Sequence, residues 1–140
     1  MLRQGDNVFY SDNGKGMTDY CGAAFRVIRD LGLTPLAYGG AGLDARKSNF
    51  DREIRDDFYQ SKVVILFLGK GEGWKSIEDN WALPELKQII SFEIKCFVYV
   101  LARITKEEIK SLNLPIDPTV VENKDYFETI LKQNLLSLLK

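Results

Sequence analysis

One run in this chain limits the folds open to it more than any other: Lys62-Val63-Val64-Ile65-Leu66-Phe67-Leu68-Gly69. It is continuously apolar where a half-buried strand would alternate. A strand of this kind must be buried on both faces, which is the position of a central strand in a parallel sheet. Parallel strands need long crossovers, usually helical, so the rest of the chain should alternate strand and helix.

The flanking sequence follows that rhythm. Asn7 to Tyr10 reads as a short strand, ended by the turn-forming segment Ser11-Asp12-Asn13-Gly14-Lys15-Gly16. Thr18 can cap a helix with Cys21, Ala24, Phe25, Ile28 and Leu31 on one face, stopped by Gly32. Leu33 to Tyr38 reads as a second strand, followed by the glycine-punctuated loop from Gly39 to Asp44. Ser48 can cap a helix carrying Phe50, Ile54 and Phe58 inward. After the central strand, a long loop over 70–80 leads to a helix that holds Glu85, Leu86, Ile89 and Ile90. Cys96 to Leu101 is a further apolar strand, and Thr105 caps a short charged helix. Thr119 to Val121 reads as an edge strand, and 125–140 as a closing amphipathic helix with Phe127, Ile130, Leu131 and Leu135.

This alternation predicts one α/β domain over 1–140, a doubly wound parallel sheet of four to five strands. By analogy its strand order is the flavodoxin-like 2-1-3-4-5. Ligands of such sheets bind beyond the carboxyl ends of the strands, beside strand one. The segments 10–16, 38–48 and 69–85 meet at that edge.

Composition narrows the chemistry. A net charge of -1 with no basic block argues against direct nucleic-acid binding. No apolar run reaches the length of a membrane span, and the start lacks a signal-peptide core, so a cytoplasmic protein is expected. The two cysteines, Cys21 and Cys96, fall in apolar-periodic segments and read as reduced, buried thiols. The chain has no histidine, which removes the commonest general acid/base and, with no paired-cysteine motif, argues against a zinc site.

A carboxylate is then the best remaining chemical centre, and Glu85 in Asn80-Trp81-Ala82-Leu83-Pro84-Glu85-Leu86 is the leading candidate. Pro84 suits a first helical turn, with Asp79 or Asn80 as cap. A glutamate there is stabilised by the positive end of the helix dipole by about 0.3–1 kcal/mol, which is an ordinary structural role. The same ionised group, beside Trp81 at a cleft mouth, could bind ribose hydroxyls and stabilise an oxocarbenium-like sugar. Spacing leaves both readings open. Gly14-Lys15-Gly16 and Gly69 to Gly73 lack the Walker and dinucleotide spacings and read first as surface turns. Asp44, Arg46 and Lys47 read as solvated loop charges, and Trp74 and Trp81 as packing residues or ligand platforms.

Together these segments resemble a TIR (Toll/interleukin-1 receptor) domain, most clearly over 7–101. Asn7 to Ser11 is similar to the family's opening strand, Leu33 to Ser48 to its second strand and following loop, and Phe50 to Leu68 to its second helix and third strand. Trp81-Ala82-Leu83-Pro84-Glu85-Leu86 is similar to the W-C-x-x-E-L motif, with Ala82 in the cysteine position. The resemblance departs at Asp79, where a serine is common, in the long loop over 70–80, and after Leu101.

The resemblance implies an NAD glycohydrolase that releases nicotinamide and ADP-ribose or a cyclic variant, with Glu85 as the catalytic residue. It implies substrate contacts from Tyr10, Ser11, Asp12, Asp44, Phe50 and Trp81. NAD is then a substrate, with no resident cofactor and no metal. Self-association, an accompanying sensor domain or partner protein, and a role in immune or antiviral defence are family-level expectations. The alternatives are a non-catalytic TIR interaction module and an enzyme like the nucleoside 2-deoxyribosyltransferases, whose glutamate also acts on a sugar.

Overall fold

The computed structural model describes residues 2–11, 18–38, 61–68, 94–100, 105–111, 114 and 116–139. Their elements are β1 (Asn7–Ser11), α1 (Thr18–Asp30), β2 (Thr34–Tyr38), β3 (Val63–Leu68), β4 (Lys95–Val100), α2 (Lys106–Ser111), β5 (Thr119–Val120) and α3 (Lys124–Leu138). The helices expected to hold Phe50 and Glu85, and the glycine loops at 14–16, 39–44 and 69–73, lie outside the described residues.

The sheet is five-stranded and parallel, in the order β2-β1-β3-β4-β5. This is the flavodoxin-like order, with β3 paired on both edges, to β1 and to β4. Val63 to Phe67 are all buried, Val63 at 2% exposure and the rest at 0%. Val63, Ile65 and Phe67 point to the face that α1 and α3 cover, together with Val8, Tyr10 and Tyr99. Phe9, Val64, Leu66, Cys96, Val98 and Val100 point the other way and are buried too. An unbroken apolar run is thus what a strand covered on both faces requires. Each such side chain contributes roughly 1.5–3 kcal/mol relative to exposure.

Local chemistry sets the helix ends. Gly32 has φ +80° and closes α1: its N–H donates to the Arg29 carbonyl (2.9 Å), and the Leu33 N–H donates to the Ile28 carbonyl (3.1 Å). These are the paired bonds of a Schellman motif, whose left-handed position favours glycine. At α2, Thr105 Oγ1 accepts from the Glu108 N–H (3.2 Å), and Glu108 Oε1 accepts from the Thr105 N–H (3.4 Å), a capping box. The Asn123 side chain caps α3 by accepting from the Tyr126 N–H (2.8 Å).

One expectation fails in α1. Cys21, Ala24 and Ile28 are buried and Leu31 is half-buried, but Phe25 is 39% exposed. α1 packs on the sheet and on α3 together, so its buried arc turns toward Tyr20, Ala23 and Val27. Phe25 falls off the far side, where the Arg29 guanidinium lies 5.2 Å over its ring. Cys21 and Cys96 are buried thiols outside any disulfide, as their setting implied. No helix among the described residues is long and apolar enough to cross a membrane.

An aromatic cluster joins α3 to the sheet. The Phe127 ring meets Tyr99 at 5.1 Å, Phe67 at 5.4 Å and Tyr20 at 5.6 Å, each edge to face. Such pairs add about 0.5–1.5 kcal/mol beyond burial. Between the same two helices, Arg26 and Glu128 form an exposed ion pair at 2.8 Å, a contact of little energetic weight.

Tyr99 is fully buried, and Asn134 Nδ2 donates to its hydroxyl oxygen at 2.8 Å. Burial pushes this hydroxyl from an ordinary 10.0 up to about 12, against a smaller lowering by the Asn134 bond. The unfolded chain releases the proton near pH 10, while the folded one keeps it to about pH 12. The contribution is therefore complete below pH 10 and lost as pH rises toward 12. Between those values wild type should lose about 2–3 kcal/mol more stability than Tyr99→Phe. Denaturant unfolding of both proteins across that range measures the difference, and parallel curves would remove the assignment.

Candidate functional site

The strand ladders define where the sheet opens. β1 pairs with β2 as far as Ser11↔Tyr38, and β3 pairs with β4 as far as Leu68↔Val100. Between β1 and β3, however, the ladder stops at Tyr10↔Ile65. Beyond it, Ser11 belongs to the β2 side and Leu66 to Leu68 to the β4 side. The pairing of the two central strands therefore ends short of the carboxyl edge, a gap in the ladder one residue before the end of β1. The chain leaves β1 toward β2 on one side and later returns to β3 on the other, so this gap lies at the topological switch point. In open α/β sheets that is where ligands bind.

Electrostatics at this edge come partly from α1, which starts beside the end of β1 and runs back to the Gly32 turn. Its positive dipole end lies at the carboxyl edge, with Asp19 in the first turn opposing it. Tyr20, next along, has its hydroxyl raised by partial burial first and by the Asp19 carboxylate second, so it stays neutral and a hydrogen-bond donor.

Of the residues that the sequence nominates, Tyr10 and Ser11 are described. Both fall at the carboxyl end of β1, on the lip of the gap. Tyr10 is only 7% exposed, and its side chain belongs to the core beneath α1 and α3. It reaches the edge through its backbone, so its first task is to hold the lip. Ser11 ends the strand opposite Tyr38, which sequence reasoning did not single out. The strand order already puts the 38–48 segment at this edge, and register sets Tyr38 against Ser11. Asp12, Asp44, Phe50, Trp81 and Glu85 lie outside the described residues. Their chain segments, 12–17, 39–60 and 69–93, begin at the carboxyl ends of β1, β2 and β3 respectively.

No protein-family model and no curated protein matches this chain. Among solved structures it is similar to the crystal structure of a diflavin flavoprotein A3 from Nostoc sp. The two share 13% identity over 94% of this chain and 89% of that one, with a TM-score of 0.50. Identity that low speaks for the architecture, which is α/β and flavodoxin-like. Placing Tyr10 in the core carries a test of its own: Tyr10→Ala should destabilise the fold by about 3–5 kcal/mol, the usual result of deleting a buried ring. Chemical denaturation measures it, and a loss below about 1 kcal/mol would put the ring outside the core.

Proposed function

We propose that the chain is an NAD glycohydrolase of the TIR type, active when self-associated, in which Glu85 is the catalytic carboxylate. The observation that carries the reading is the gap between β1 and β3, because the Trp81-to-Leu86 motif belongs to the segment that leaves β3 beside it. The resemblance of that motif suggests the chemistry, and the switch point between β1 and β3 supports the reading because open α/β sheets take their ligands there.

The reaction suits a chain without histidine. In NAD the nicotinamide is a pyridinium, so when the C1′–N bond breaks heterolytically the electron pair leaves with a neutral base. The leaving group needs no proton, hence no general acid. What the transition state does need is negative charge near the ribose, where an oxocarbenium-like cation develops. An ionised glutamate supplies that charge, and its oxygens can accept hydrogen bonds from the ribose hydroxyls. Water then adds at C1′ and gives up a proton, yielding ADP-ribose; capture by a nucleophile within the substrate yields a cyclic product instead. Ser11, Asp12, Asp44, Phe50 and Trp81 are the proposed substrate contacts, with Trp81 beside the nicotinamide riboside and Tyr10 fixing the lip beneath.

Concentrated protein under crowding, supplied with NAD, should release nicotinamide. Glu85→Ala should slow that release by about 100- to 1,000-fold, the usual consequence of removing a group aimed at transition-state charge. Equal rates for the two proteins would remove Glu85 from catalysis. No release from either, with association unchanged, would favour the non-catalytic interaction module. Base exchange on deoxynucleosides would favour the deoxyribosyltransferase reading.

A further inference from the structure

The opposite edge of the sheet carries a second concavity, far from the switch point along the strands. Leu2, Lys62, Val63, Lys95 and Leu138 line a cavity of about 160 Å³. Val63 and Lys95 are register partners at the first positions of β3 and β4. Leu2 and Leu138 come from opposite ends of the described chain and are fastened together: the Leu2 N–H donates to the Leu138 carbonyl (3.0 Å), and Leu2 bridges Leu139 in parallel. Leu2 is only 1% exposed. Three aliphatic walls are therefore held in place before any ligand arrives.

The remaining lining residues are two exposed lysines. The ion pair among the described residues joins Arg26 to Glu128 and involves neither of them. Nor do they cap the nearby end of α3. Its Leu135 and Leu136 carbonyls accept from the Leu139 N–H, and its Leu138 carbonyl accepts from Leu2. The Lys95 ammonium lies 5.3 Å over the Phe97 ring, and Lys95 is an exposed residue. Leu2, Val63 and Leu138 offer water no side-chain hydrogen bond, and an apolar cavity of roughly 150 Å³ suffices for a benzene-sized group.

We infer that this cavity binds a short amphiphilic anion, its apolar body of about six carbons against Leu2, Val63 and Leu138 and its charged group on Lys62 and Lys95. Because Leu2 and Leu138 form two of the walls, such a ligand also fastens the two ends of the described chain. The inference does not rest on the NAD reading.

Hexanoate is the probe, with acetate and hexan-1-ol as controls, titrated into ¹⁵N-labelled protein. Hexanoate should shift the Leu2, Val63 and Leu138 amides saturably, at least about tenfold more tightly than either control. The double variant Lys62→Gln/Lys95→Gln should weaken hexanoate by about five- to tenfold, at an unchanged Tm without ligand. Leu138→Trp, which fills the cavity, should abolish the shifts with both lysines in place. The inference is overturned if hexanoate binds no better than acetate, if the shifted amides map elsewhere, or if the lysine variant binds it as tightly as wild type.

Discussion

Everything described in this molecule hangs on β3. It is the middle strand of the five, and Val63 to Phe67 are buried on both its faces, so it joins the β1–β2 pair to the β4–β5 pair and joins the helical layer to the sheet. Phe67 shows how one side chain serves both connections: its backbone sits in the β3–β4 ladder while its ring meets Phe127 of α3. A charged side chain at Ile65 would break pairing, packing and helix docking together, because Val63 to Phe67 are all buried. The same strand sets the candidate site. The gap at the carboxyl edge exists because β3 continues with β4 after its ladder with β1 has ended.

The fold was legible because its main signals are local. A continuous apolar run says central parallel strand, and Thr105 before a charged run says helix cap. Phe127, Leu131 and Leu135 at helical spacing give the buried stripe of α3. What sequence reasoning missed depends on two elements meeting. Phe25 lies at helical spacing from Cys21 and Ile28, yet α1 packs on the sheet and α3 at once, and that double contact turns its buried arc away. Tyr10 reads as a site residue by the family resemblance. Strand alternation, with Val8 on the same face, carries its ring into the core. Ser11 and Tyr38 are set against each other by register. The motif around Glu85 is legible as chemistry, but a short motif carries no geometry of its own.

The two edges of the sheet divide the work in a way the strand directions require. At the carboxyl edge the β1–β3 ladder ends at Tyr10 and Ile65, and the segments 12–17, 39–60 and 69–93 begin there. At the amino edge the strands begin in register, and the chain ends are tied over them by Leu2, Leu138 and Leu139. The small cavity there is apolar with cationic residues in its lining, suited to a small anion with a hydrocarbon body. Neither edge depends on titration of Tyr99, which holds its proton deep in the α3-facing core up to about pH 12.

The central claim is that NAD occupies the gap between β1 and β3. It is tested most directly by mapping NAD onto ¹⁵N-labelled Glu85→Gln protein, which keeps the shape of the site and should turn over slowly enough to observe binding. The account predicts saturable shifts of the Ser11, Tyr38 and Leu66 to Leu68 amides, with Leu2, Val63 and Lys95 unmoved. Shifts confined to the amino edge, or none at NAD concentrations that saturate a nucleotide site, would contradict it.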